Sequence, residues 1–168
     1  MRNRHHQKGV GLVEILVALL ILAIGVMGFI ALQYRAIEAT AESGARIQAI
    51  NLARDLAERM RVNRGAENVY AQQLNTANAQ LSFSTNCFTA NCSSTALADF
   101  DVAQVATKAR SVGMTVNFLN CQGNNDGRRC IYVAWDDTAA TNGALNEGNC
   151  TAGNVYDPNS TCLIMEVY

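Results

Sequence analysis

The chain has 168 residues, 49% hydrophobic and 16% charged, with 13 Lys+Arg against 14 Asp+Glu. That length holds one ordinary domain and an appendage, not two large domains. The apolar fraction excludes a disordered chain, and the near-balanced charge gives no overall pull on nucleic acid.

The averages conceal an uneven distribution. From Val10 to Leu32, 23 residues carry one charge, Glu14. As an α-helix they span about 34 Å, enough for the roughly 30 Å hydrocarbon core of a bilayer. A small soluble domain cannot surround such a segment, so a single membrane span is expected. Arg2, Arg4 and Lys8 precede it, whereas Arg35, Glu38 and Glu42 beyond it are mixed in sign. The positive-inside bias then places the N-terminus in the cytoplasm and the C-terminal part in the periplasm. All six cysteines lie in that outer part, which agrees with an oxidising compartment.

The junction before the span is the most specific signal. Lys8-Gly9-Val10-Gly11-Leu12-Val13-Glu14 sets a basic residue and a glycine ahead of the apolar run, with an acid five residues into it. A removable signal peptide is disfavoured by the length of the run and by the lack of an A-x-A-like site after it. The pattern resembles a type IV prepilin. The continuation from Glu14 to Ile24-Gly25-Val26-Met27-Gly28 resembles the minor pilin family PilV. Major pilins commonly carry a proline inside the apolar segment; the sole proline here is Pro158, which favours a minor subunit.

The resemblance implies a leader of residues 1–9, cleavage by a prepilin peptidase between Gly9 and Val10, and N-methylation of Val10. It implies a non-catalytic subunit for pilus assembly or initiation, with adhesion and twitching motility as associated roles. Its partners would be other minor and major pilins, the inner-membrane assembly machinery and a tip adhesin. The chain would enter the inner membrane first and reach a surface pilus afterwards. The alternative is a minor pseudopilin of a type II secretion system, which shares the leader and helix.

Glu14 requires an explanation, since a carboxylate at a bilayer's centre costs roughly 2.5–3.5 kcal/mol. The resemblance implies that it neutralises the new α-amino group of Val10, on its own chain or on a neighbour. Such a buried pair adds little stability. It sets register instead, because a misplaced subunit strands both charges.

Beyond the span, Ile30, Tyr34, Ile37, Ala41, Ala45, Ala49, Leu52, Leu56 and Met60 continue at helical spacing, an amphipathic stripe with small residues at its middle. Glu42 with Arg46, Arg54 with Glu58 and Asp55 with Arg59 stand at i,i+4 on the other side. Gly65 occupies a C-cap position. The expected organisation is leader 1–9, transmembrane or filament-core helix 10–32, amphipathic continuation 33–65, and a periplasmic globular domain 66–168.

That domain reads as α+β: the long helix packed on a small antiparallel sheet, with a second short helix and disulfide-fastened loops. Glu67 to Thr85, rich in Asn, Gln, Ala and Ser, is expected to be a loop. Ser93-Ser94-Thr95 offers N-caps for a helix over about 96–110, which Gly113 ends. Met114 to Asn120 and Ile131 to Trp135 alternate as strands around an Asn124-Asn125-Asp126-Gly127 turn, and Cys162 to Tyr168 supplies a third. The Gly/Asn/Thr-rich stretches 136–149 and 151–161 are expected to be loops, leaving a meander of three or four strands.

Cysteines 87, 92, 121, 130, 150 and 162 admit fifteen pairings. Zinc is disfavoured because no C-x-x-C occurs and both histidines, His5 and His6, lie in the leader. Cys121 and Cys130 bracket the turn and would fall opposite each other; Cys87 with Cys92 and Cys150 with Cys162 are then expected as the partners nearest in sequence. No His-dependent catalytic set survives leader removal, and Asp136-Asp137 reads as a solvated turn. Asp126 and Asp157 lie in loops that match no EF-hand. No catalytic residue, cofactor site or metal site is expected, nor any nucleic-acid partner.

Overall fold

The structure is a computed structural model that describes residues 11–76, 79–124, 126–144 and 148–167. The first element, helix α1, is Leu12–Val62. Short 3-10 turns at Arg64–Ala66 and Ala79–Leu81 flank α2 (Glu67–Leu74), and α3 is Ser94–Ser111. Six strands follow: β1 Met114–Asn120, β2 Arg129–Trp135, β3 Ala139–Gly143, β4 Asn149–Ala152, β5 Val155–Tyr156 and β6 Cys162–Val167. The chain divides into two compact units, Met1–Ser43 and Gly44–Tyr168.

In the first unit the described chain is helix alone. Its large apolar side chains are all exposed, from Leu12 at 78% to Val26 at 50%. Arg35 and Glu38 make a loose exposed pair at 3.9 Å.

The second unit buries the small-residue stripe. Ala49, Leu52, Ala53, Leu56 and Met60 of α1 pack with Tyr70 and Leu74 of α2 and with Ala98, Val102, Val105 and Ala109 of α3. Met114, Val116 and Phe118 of β1 and Ile131, Val133 and Trp135 of β2 complete this core. Alanines at 49 and 53 fit because they let a helix lie close to its neighbours. Ser93 caps α3, its hydroxyl accepting the Ala96 N–H at 3.2 Å. After Val112 the chain turns at Gly113, whose φ of +72° a side chain would oppose.

Several expectations need correction. α1 does not end on Gly65, which lies inside a 3-10 turn. It ends at Val62, and the Asn63 that follows donates its side-chain amide to the Ser94 carbonyl at 2.7 Å. The stretch 67–85 is no plain loop either. It contains α2, because Tyr70 and Leu74 at i,i+4 give this polar segment one apolar face to bury.

The sheet departs further from a simple meander. β1, β2 and β6 form one antiparallel sheet in that order, while β3, β4 and β5 form a second. The expected loops 136–149 and 151–161 therefore hold strands, with β3 and β4 parallel. Polar pairs join them: Thr141 Oγ1 donates to Asn149 Oδ1 at 2.6 Å, and Thr151 Oγ1 to Asn142 Oδ1 at 3.2 Å. A Cβ at Gly143 would collide with the Asn149 side chain, so glycine there admits the pairing. A second apolar cluster of Tyr132, Ala134, Ala140 and four cysteines forms between the two sheets. β2 is consequently buried on both faces instead of alternating.

The three disulfides are Cys87–Cys92, Cys121–Cys130 and Cys150–Cys162. Cys121 and Cys130 are not directly opposite. Cys130 pairs in register with Leu119, and the Cys121 N–H reaches the Arg128 carbonyl at 2.9 Å. The bond is therefore diagonal across the ladder. Its loop is longer than the four-residue turn expected, and Gly123 and Gly127 turn it at positive φ.

Candidate functional site

Two groups of charged residues stand out, one in each unit. In the first, Glu14 lies in the opening turn of α1, where its N–H reaches the Gly11 carbonyl at 2.9 Å. A carboxylate there also faces the positive end of the helix dipole. The side chain is exposed, and no described residue pairs with it. Around it α1 offers one uninterrupted apolar surface: a window of mean hydropathy 3.0 with no buried residue, long and apolar enough to cross a membrane. Gly9 and Val10, the expected cleavage and methylation residues, lie outside the described residues.

The other group is buried and was not legible as a unit. Asp101, 5% exposed, accepts Arg59 Nη1 at 2.7 Å on one oxygen and the Tyr70 hydroxyl at 2.7 Å on the other. Arg59 Nε also donates to Asp55 at 2.8 Å, so this expected i,i+4 pair becomes part of a larger network. Lys108 of α3 reaches the second Asp55 oxygen at 3.5 Å. Burial pulls the Arg59 guanidinium down, but Asp55 and Asp101 outweigh it and hold the group above its ordinary value. Burial, and then the bond to Asp101, push the Tyr70 hydroxyl well above its usual range. The network ties α1, α2 and α3 together. A signal for it existed: Asp101 interrupts the apolar face of α3 three residues after Ala98 and next to Val102.

Asp126 is held by Arg128, which also pairs with Glu166 at 2.8 Å. Asp157, 4% exposed, accepts the Asn159 N–H at 2.9 Å within its own turn. Asp136 and Asp137 are exposed on a turn whose first residue has φ +52°.

Comparison with known proteins bears on what this arrangement serves. The family described as Type IV pilin Tt1218 matches residues 31–103, which span the later part of α1, all of α2 and over half of α3. The prokaryotic N-terminal methylation motif matches residues 4–30. Together they support a type IV pilin. No curated protein and no solved structure matches.

The fold is consistent with that of a type IV pilin: a long apolar N-terminal helix, an antiparallel sheet on its later part, and disulfide-fastened loops. Type IV pilins are structural subunits, and the methylation motif implies assembly with other pilins and processing by the prepilin peptidase. The apolar helix fits membrane anchoring before incorporation into a pilus.

Proposed function

We propose that the chain is a minor type IV pilin of the PilV type, a non-catalytic subunit that acts in assembly and initiation of the pilus. The observation that carries this reading is Glu14, the sole charge in the apolar stretch 10–32, most of which the methylation motif matches. In this reading residues 1–9 are the leader, 10–32 the membrane and then filament-core helix, 33–65 its continuation, and 66–168 the periplasmic domain. The N-terminus begins in the cytoplasm, as the charge on Arg2, Arg4 and Lys8 favours. The peptidase cuts between Gly9 and Val10, and Val10 is then methylated. The new amine meets Glu14 of its own chain or of a neighbour, and the pair fixes the axial position of the subunit. Other minor and major pilins, the inner-membrane machinery and a tip adhesin are its partners.

The absence of charge between Glu14 and Arg35 gives the pair its selectivity. Exchanging lipid for helix contacts alters apolar packing little from one register to the next. Only the amine and the carboxylate distinguish registers strongly.

Intact-mass analysis of the subunit from a pilus-forming cell tests the reading. The expected chain starts at Val10 with one added methyl group. Losing Arg2, Arg4 and Lys8 takes the formal charge from −1 to −4, with ten cations against 14 acids. A chain that retains Met1, or that is cut beyond residue 30, contradicts it.

A further inference from the structure

We propose that Gly11 caps α1 and thereby sets the rate at which the leader is removed; this deepens the pilin reading and rests on it. The expected cut breaks the Gly9 C–Val10 N bond, and water adds to leave a carboxylate on Gly9 and an amine on Val10. A peptidase has to reach the Gly9 carbonyl. A helix running through the cut would hide it, because in an α-helix a carbonyl accepts the N–H four residues on, here that of Val13.

α1 starts beyond that point. Its first residue is Leu12, and Gly11 stands outside the helix. The Gly11 carbonyl accepts the Glu14 N–H at 2.9 Å and the Ile15 N–H at 3.4 Å, the bonds that open the helix. Gly11 is therefore the cap, and Val10 and Gly11 separate the cut from the first helical residue. Glu14 favours the same start, since it lies in the first turn, where a carboxylate meets the positive end of the helix dipole.

The composition around Gly11 works in the opposite direction. Leu12 to Leu20 is apolar apart from Glu14, and in apolar surroundings an unpaired backbone group is costly, so a helix there tends to run on. Glycine opposes this. It is the poorest helix former after proline, yet is accepted at a cap far better than alanine. Gly25 and Gly28 do not interrupt α1, having helix on both sides. Gly11 acts because it stands at the end of the run. Space does not account for a glycine here: a Cβ would meet nothing within 4 Å beyond its chain neighbours. Substitution at this position thus alters backbone preference and no packing contact. The methylation motif, which matches residues 4–30, covers both the cut and the cap and points independently to an enzyme acting there.

The test follows cleavage of the full chain in detergent micelles by a purified prepilin peptidase. Gly11→Ala should extend α1 toward the cut and slow cleavage about five-fold, the equivalent of the roughly 1 kcal/mol by which alanine is the better helix former. Gly11→Ser should be cut at nearly the parent's rate, since a serine hydroxyl caps the helix and keeps its start at Leu12. A peptidase that reads only side-chain size would reverse that order, because alanine is the smaller residue. The 13C chemical shift of Val10 gives a readout without the enzyme: helical in Gly11→Ala, and not in the parent or Gly11→Ser. Equal rates for the three chains, slower cleavage of Gly11→Ser than of Gly11→Ala, or a helical Val10 in the parent overturns the proposal. A parent that is not cut after Gly9 refutes the pilin reading itself. A parent cut there at a rate indifferent to position 11 refutes only this inference.

Discussion

One helix serves two different environments on either side of Ser43. Before it, every large apolar side chain among the described residues is exposed, Leu12 at 78% and Met27 at 70%; after it, Leu52 and Leu56 stand at 2% and 0%. The first stretch is apolar all round, and the second is apolar along a stripe of small residues. The stripe finds its cover within the chain, from α2, α3 and the sheet. The apolar surface of the first stretch has no cover within its own unit and suits lipid or the helices of other subunits. Charge follows the same division. Glu14 stands without a partner among the described residues, while Asp101 holds two donors.

The comparison breaks most severely where the buried network is cut. Asp101→Ala leaves the Tyr70 hydroxyl proton without its acceptor and one side of Arg59 unpaired. It should cost about 3 kcal/mol, the low end for a buried pair because Arg59 is a third exposed. Denaturant unfolding of the full chain in micelles measures this, and Glu14→Ala should leave the same midpoint unchanged.

The disulfides come next. Cys150–Cys162 joins β4 of one sheet to β6 of the other and closes a separation of 12 residues. Replacing both cysteines by Ser should lower stability by about 2–4 kcal/mol. The same change at Cys87 and Cys92, separated by 5 residues on the surface, should cost less. Thermal unfolding of the two variants ranks them.

A smaller effect is expected from pH. The Tyr70 hydroxyl keeps its proton in the folded chain well above the value near 10 at which an unfolded tyrosine loses it. Above about pH 10 the unfolded state therefore binds fewer protons, and stability falls as pH rises; below that range the contribution is constant. Denaturant midpoints followed from about pH 8 to about pH 11 should decline for the parent, and less steeply for Tyr70→Phe.

How far these features were readable depends on the pattern that marks them. The stripe and the alternation of β1 each have a period: Ala49, Leu52, Leu56 and Met60 are buried and β1 spans Met114–Asn120 as expected, while Ile30, Tyr34, Ile37 and Ala41 at the start of the stripe are exposed. The second sheet has no period: Ala139–Gly143 and Asn149–Ala152 pair through threonine and asparagine side chains, so no apolar alternation marks them. α2 hid in Asn- and Gln-rich sequence because two residues, Tyr70 and Leu74, carry most of its burial. The ion-pair network joins Arg59 to Asp101 across 42 positions, a separation at which no local spacing gives a signal. For Glu14 the opposite holds. A lone acid in 23 residues is conspicuous in sequence, while the partner proposed for it, the Val10 amine, belongs to a residue outside the described ones.

The central claim is that this one carboxylate serves assembly and not folding. Its most direct test is the amount of subunit in sheared surface pili for the parent, Glu14→Ala and Glu58→Ala. Glu58 is exposed on the same helix and makes only the 3.5 Å contact to Arg61, so its loss should change little. The account predicts that Glu14→Ala is synthesised, inserted and disulfide-bonded like the parent, yet enters pili poorly. Incorporation of Glu14→Ala at the parent's level would contradict it.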